Sequence, residues 1–191
     1  MNTSLTESEK KYLLSLARET ITNALRNLPA PEIVVDTLSP NLRENGASFV
    51  TLTRHGSLRG CIGSLEAHQN LATDVRERAY QAAFEDYRFH PLTEDELPEI
   101  HIEVSRLTAP VTLEYDNPVD LPGLLKPGVD GVILQDGYRR ATFLPQVWEQ
   151  LPSPEEFLSH LCYKAGLPGN AWRWPDLEVS IYQVEEFAEK A

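Results

Sequence analysis

The stretch that decides the fold is Ser48 to Leu65: Ser-Phe-Val-Thr-Leu-Thr-Arg-His-Gly-Ser-Leu-Arg-Gly-Cys-Ile-Gly-Ser-Leu. Two β-rich runs, Ser48 to Arg54 and Leu58 to Ile62, flank His55-Gly56-Ser57. The spacing predicts a hairpin with a three-residue loop whose glycine takes positive φ. In the register this loop sets, Arg54 pairs with Leu58, Thr53 with Arg59, Leu52 with Gly60, Thr51 with Cys61 and Val50 with Ile62. Side chains alternate between the faces of a strand, so Val50, Leu52, Leu58 and Ile62 form a core face. Thr51, Thr53, Arg59 and Cys61 form a polar one, and a one-residue slip would bury Arg59. The pattern sets a thiol beside a guanidinium, which makes Cys61 the residue to explain.

Outward from the hairpin, composition bounds the answer. The 191 residues suffice for one good core with a smaller appended lobe. A net charge of -12, from 29 acidic and 17 basic residues, argues against a nucleic-acid backbone as partner. The N-terminal Met1 to Glu9 has no cationic apolar signal and no run of about 18 apolar residues occurs, so a soluble cytoplasmic protein without membrane association is expected. Two cysteines build no disulfide framework, and free thiols follow. No Cys-x-x-Cys pair, His-Glu-x-x-His helix or glycine-rich phosphate loop is present, and His68, His90 and His160 lack ligand spacing. No metal site is expected, and no cofactor is identified.

Along the chain, Thr6 with Glu9 forms a capping box before an apolar stripe from Tyr12 to Leu28 that Pro29 ends. Asn45-Gly46 reads as the turn into the hairpin. Asn70 caps a helix running to about Glu85, and Thr93 with Glu96 offers a further box. Ile100 to Leu107 alternates as a strand, with Ile100, Ile102 and Val104 inward. The proline-punctuated stretch from Ala109 to Asp130 reads as loops with one short helix. Gly131 to Leu144 is a second hairpin around Asp136-Gly137, a type I′ pair. A short helix at Pro145 to Leu151, a helix capped by Ser153 and ended by Gly166, and a last strand at Leu177 to Tyr182 follow. Helices and antiparallel hairpins without βαβ spacing make the class α+β.

Leu58-Arg59-Gly60-Cys61-Ile62-Gly63 resembles the LRGCIG signature hexapeptide of the AMMECR family, the A component of the AmmeMemoRadiSam system. The resemblance continues through Asp86-Tyr87-Arg88-Phe89-x-Pro91-Leu92, Glu103-Val104-Ser105, Gly128-x-Asp130-Gly131, Ala141-Thr142-Phe143-Leu144-Pro145 and Lys164-Ala165-Gly166-Leu167. It implies a single AMMECR domain over residues 1–191, built as two interleaved lobes: an antiparallel sheet flanked by helices, a second, smaller lobe and a cleft between them. It also implies partners, a radical-SAM protein and a Memo-type protein similar to extradiol dioxygenases. It implies no agreed reaction.

Function therefore rests on the site. A cation near Cys61 favours thiolate, the nucleophilic form, and Arg59 is the cation the hairpin offers, either activating the thiol or holding an anionic group; the alternative is a buried structural cysteine, as expected for Cys162 on its helix stripe. Glu103, on the polar face of its strand, is either an ion-pair partner or a general base. His55 lies three rungs from Cys61, so it orients a substrate or shapes the turn. Gly60 and Gly63 permit close approach by a ligand or by protein. Asp86 and Arg88 form a loop-pinning ion pair or bind ligand, and Lys164 near a helix end is a candidate anion contact. Two functions remain: a thiol-dependent enzyme or reactive binding protein for a small molecule held in the interlobe cleft, and a non-catalytic adaptor for the radical-SAM or Memo-type partner.

Overall fold

The computed structural model describes residues 4–190, so the first three residues of the polar N-terminal stretch, and Ala191, lie outside it. The chain divides into two compact units, one running up to Leu107 and resuming at Glu185, the other Thr108–Val184.

The first unit begins with α1 (Glu7–Leu25), whose N-cap Thr6 closes the expected capping box with Glu9. The helix stops before Pro29 because Asn27 takes a left-handed φ of 54°, and Leu28 N–H returns to Asn23 O at 2.8 Å, a Schellman closure. A short α2 (Pro40–Arg43) leads into β1 (Asn45–Arg54), β2 (Ser57–Gly63) and β3 (Gln69–Asn70). Asn45 and Gly46 are not a turn. They are the first residues of β1 and pair with Asn70 and Gln69. Asn70 then caps α3 (Leu71–Phe84), its Oδ1 accepting from Thr73 N–H at 2.9 Å. The sheet order is β2-β1-β4-β9, with β4 at Ile100–Leu107 and β9 at Val184–Ala188. Leu13, Ile21, Val75 and Ala79 of α1 and α3 pack with Val50, Leu52, Ile102 and Val104 of the sheet as one core.

The hairpin register departs from expectation at its tip. Val50↔Ile62, Thr51↔Cys61 and Leu52↔Gly60 pair as expected, but Thr53 meets Leu58 and Arg54 meets Ser57. The loop is the two residues His55 and Gly56, both at positive φ (51° and 79°), the type I′ pattern. The surplus residue, Arg59, is a bulge opposite the Leu52/Thr53 step. Leu58 therefore leaves the core face and is 45% exposed, while the Arg59 side chain is only 13% exposed.

The second unit holds β5 (Val111–Thr112), α4 (Leu121–Leu124), β6 (Gly131–Asp136), β7 (Arg139–Phe143), α5 (Pro154–Lys164) and β8 (Glu178–Tyr182). Its antiparallel sheet runs β5-β8-β6-β7. The β6–β7 loop is Gly137-Tyr138 rather than Asp136-Gly137, because Asp136 pairs with Arg139. Only Gly137 has positive φ, a type II′ arrangement. Ser153 caps α5, and its Phe157, Leu158, Leu161 and Cys162 pack on Val132, Leu134 and Val179. The α+β class holds for both units. The strand at Leu177 to Tyr182 is not the last, since β9 follows it and joins the first sheet.

Candidate functional site

Thr51 pairs with Cys61 on one side and with Glu103 on the other. The three side chains thus form one cross-strand row on the sheet face turned from the core. Thr51 Oγ1 donates to Cys61 Sγ at 3.2 Å, and the cysteine is half-buried. Two strand spacings separate Cys61 and Glu103 by about 10 Å at Cα. The Glu103 carboxylate makes no hydrogen bond or ion pair among the described residues, and Thr51 stands between it and the thiol. In the next row His101 Nε2 lies 2.6 Å from Glu189 O.

The backbone of Cys61 is held from the opposite side. Its N–H donates to Asp86 Oδ2 at 2.9 Å and its carbonyl accepts from Arg88 Nη2 at 3.1 Å. Both groups point off β1, the geometry of a non-hydrogen-bonded pair, in which facing side chains come closest. That accounts for the Thr51–Cys61 contact. Asp86 is buried and also accepts from Arg88 Nη2 at 2.6 Å, Nε at 2.9 Å and N–H at 3.2 Å. The Arg88 guanidinium holds the Asp86 carboxyl well below the usual carboxylate range, outweighing burial, and the Cys61 N–H adds to it. Asp86 and Arg88 together close the free edge of β2 at the cysteine.

Arg59 is committed elsewhere. Its Nε and Nη2 each reach Glu96 at 2.8 Å and Nη2 reaches His90 O at 3.0 Å; no hydrogen bond joins it to Cys61 among the described residues. The bulge explains this, because it takes Arg59 out of the alternation that would have set it beside Cys61. Glu96 also accepts from Arg54 Nη1 at 3.1 Å and Thr93 N–H at 3.0 Å. The expected Thr93–Glu96 box is only half made: Thr93 N–H and Oγ1 both donate to the Glu96 carboxylate, but Glu96 N–H goes to Thr93 O, and the pair closes a turn, not a helix. Glu96 is thus the site-region residue that local pattern reading took only for a cap. His55 is exposed, with Nε2 3.5 Å from Glu99, and shapes the turn.

Arg59, against the cost of burial, lowers Glu96 from its ordinary 4.5 to about 2. A depressed carboxylate stabilises the fold fully above its unfolded pKa, and that contribution fades as pH falls toward the folded one. Glu96→Gln is therefore expected to lower the melting temperature at pH 7, with the gap to the parent narrowing between pH 4.5 and 2. Melting curves across that range check it.

The glycines meet protein. A Cβ on Gly60 would lie 2.1 Å from Ala82 O, and one on Gly63 would lie 2.2 Å from the Phe49 ring. Lys164 belongs to the second unit, where its Nζ donates to Thr142 O at 2.9 Å and lies 5.0 Å from the Phe143 ring centroid. Cys162 is fully buried, and burial pushes its thiol pKa up. Among the described residues no group of His, Cys, Asp and Glu could hold a metal ion, and no helix is long and apolar enough to cross a membrane.

Fold and site together define an α+β protein of two antiparallel sheets, with a half-buried cysteine on a polar row of the first. The chain belongs to the AMMECR1 family, whose profile matches residues 14–187 and so spans both units. It is similar to a protein of Methanothermobacter thermautotrophicus, 39% identical over 97% of this chain and 96% of that one. It is also similar to Protein MK0488 of Methanopyrus kandleri, at 38% over 100% and 93%. The crystal structure of uncharacterized protein PH0010 from Pyrococcus horikoshii matches with a TM-score of 0.77 and 34% identity, over 97% of this chain and 94% of that one.

Proposed function

We propose that this AMMECR1-family chain is a thiol-dependent protein that acts on, or covalently captures, a small molecule, with Cys61 as the reacting group. The observation that carries the reading is the Thr51 hydroxyl donating to Sγ at 3.2 Å, which holds the half-buried sulfur in one orientation on the polar row. Asp86 and Arg88 are positioning residues, since they fix the backbone on either side of the thiol. Glu103, unpaired in the same row, is the candidate general base, reached through water. Arg59 makes no hydrogen bond to the thiol or its backbone among the described residues and ties the hairpin to Glu96. Free cysteines suit a reducing compartment such as the cytoplasm.

The test is alkylation of Cys61 by iodoacetamide at pH 7, with Cys162→Ser removing the second thiol. Native protein is expected to react faster than the unfolded chain, and Thr51→Val to slow the reaction roughly tenfold, the order of one lost hydrogen bond at the reacting sulfur. A native thiol slower than the unfolded one, or indifferent to Thr51→Val, overturns the nucleophile.

A second reading is favoured by Tyr87, 94% exposed, together with the exposed Leu58. In this reading the chain is component A of an AmmeMemoRadiSam system and presents these side chains to a radical-SAM or Memo-type partner. Co-elution with such a partner that survives Cys61 alkylation but is lost in a Leu58→Ser/Tyr87→Ala variant supports it; no co-elution removes it.

A further inference from the structure

On the outer side of β2 the loop after α3 frames an open pocket of about 460 Å³, lined by Arg59, Arg88, Phe89, His90, Thr93 and Glu96 among others. That volume is within the range of small-molecule sites. Two guanidiniums flank one aromatic ring there: Arg59 Cζ is 5.9 Å and Arg88 Cζ 5.5 Å from the Phe89 centroid. Arg59 spends Nε and Nη2 on Glu96 and His90 O, and its Nη1 is buried with no hydrogen-bond partner. Buried as it is, that nitrogen is out of reach of a molecule in the open pocket, so Arg59 contributes charge there and no donor. Arg88 spends Nε and Nη2 on Asp86 and Cys61 O, and its Nη1 makes no hydrogen bond among the described residues.

The acidic groups nearby are already engaged. Glu96 accepts from Arg59, Arg54 and Thr93, and Asp86 accepts from Arg88 and Cys61. What the pocket still offers is the uncommitted Nη1 of the partly exposed Arg88, beside the charge of Arg59 and a π face. We propose that it binds a small oxyanion, a carboxylate or phosphate group, whose oxygens accept from Arg88 beside the charge of Arg59 while any planar remainder lies against Phe89. The pocket stands independently of the thiol reading and needs no chemistry from Cys61. The net charge of -12 repels anions generally, so saturable anion binding by this chain reports a local site.

The experiment is an NMR titration of the arginine Nε–Hε resonances with inorganic phosphate, with benzoate, and with neutral benzamide as control. The resonances of Arg59 and Arg88 are expected to shift saturably with at least one anion and not with benzamide. Saturation by phosphate alone marks a phosphate site; saturation by benzoate, weakened in Phe89→Leu, marks a carboxylate on a planar group. Arg88→Gln should weaken binding at least tenfold, and Arg88→Lys, which keeps the charge but loses the fork, by less. No saturable shift with either anion in the parent protein overturns the proposal, as does unchanged affinity in a folded Arg88→Gln variant. Iodoacetamide labelling is read separately, so an inert thiol leaves the pocket standing and an unresponsive pocket leaves the thiol standing.

Discussion

Gly60→Ala is expected to destabilise the protein by about 3 kcal/mol or more, the upper end of what overpacking costs. The added Cβ would sit 2.1 Å from Ala82 O and 3.1 Å from Ala82 C. Both are backbone atoms of α3, so no side-chain rotation relieves the overlap. Either the hairpin or the helix must move, and both contribute to the same core. For a chain of this size 1 kcal/mol corresponds to about 2–4 °C, so the melting temperature should fall by roughly 10 °C. Gly56→Ala is the comparison: its φ of +79° is strained for alanine, yet a Cβ there meets nothing within 4 Å. It should cost only about 1–2 kcal/mol. Thermal melts of the two variants check the order. A Gly60→Ala protein as stable as its parent would show that packing against α3 does not require this glycine.

That contrast shows why the hairpin was only partly legible. The pairing of Thr51 with Cys61 follows from alternation alone, and it survives in the structure. The bulge at Arg59 does not follow, because what holds it is Glu96, 37 residues further along. A local pattern sees an arginine at an alternating position; the fold sees its partner on another loop. His55 hid the turn type, since the pairs that signal a type I′ turn are Asn-Gly, Asp-Gly and Gly-Gly. Helix starts were readable because Thr6, Asn70 and Ser153 cap their own next turns. The edge strand β9 was not, because its Val184-Glu185-Glu186-Phe187-Ala188 run is short and acidic. It is tied in by ion pairs from remote elements, Lys10 and Arg106 to Glu185, with Arg18 holding Glu189 just beyond. At the candidate site, Glu103 could be placed on a polar face from sequence, but its row with Cys61 depends on β4 lying beside β1.

Asp86→Ala is expected to cost about 2–3 kcal/mol at pH 7, the penalty for leaving a polar group without its hydrogen-bond acceptor. The Cys61 N–H faces away from β1, and Asp86 is the acceptor it has. Arg88 loses its partner too, but at 42% exposed its side chain recovers water, which limits the loss. The pH dependence separates this from a packing defect. Asp86 titrates in the fold below its ordinary 3.8, so its stabilisation is full above that value and declines as pH drops beneath it. The deficit of Asp86→Ala should therefore narrow from pH 5 to pH 3 in urea titrations, where a cavity would keep it constant. Amide hydrogen exchange gives the local readout. The Cys61 N–H should exchange at least tenfold faster in the variant, while Leu52 and Ile102, in the core of the same sheet, slow or speed only with global stability. If Cys61 exchange tracks theirs, Asp86 contributes to the fold as a whole and does not specifically hold the thiol-bearing strand. If it rises alone, the carboxylate is what fixes the position of Cys61, and alkylation of that thiol should lose its dependence on Thr51 in the same variant.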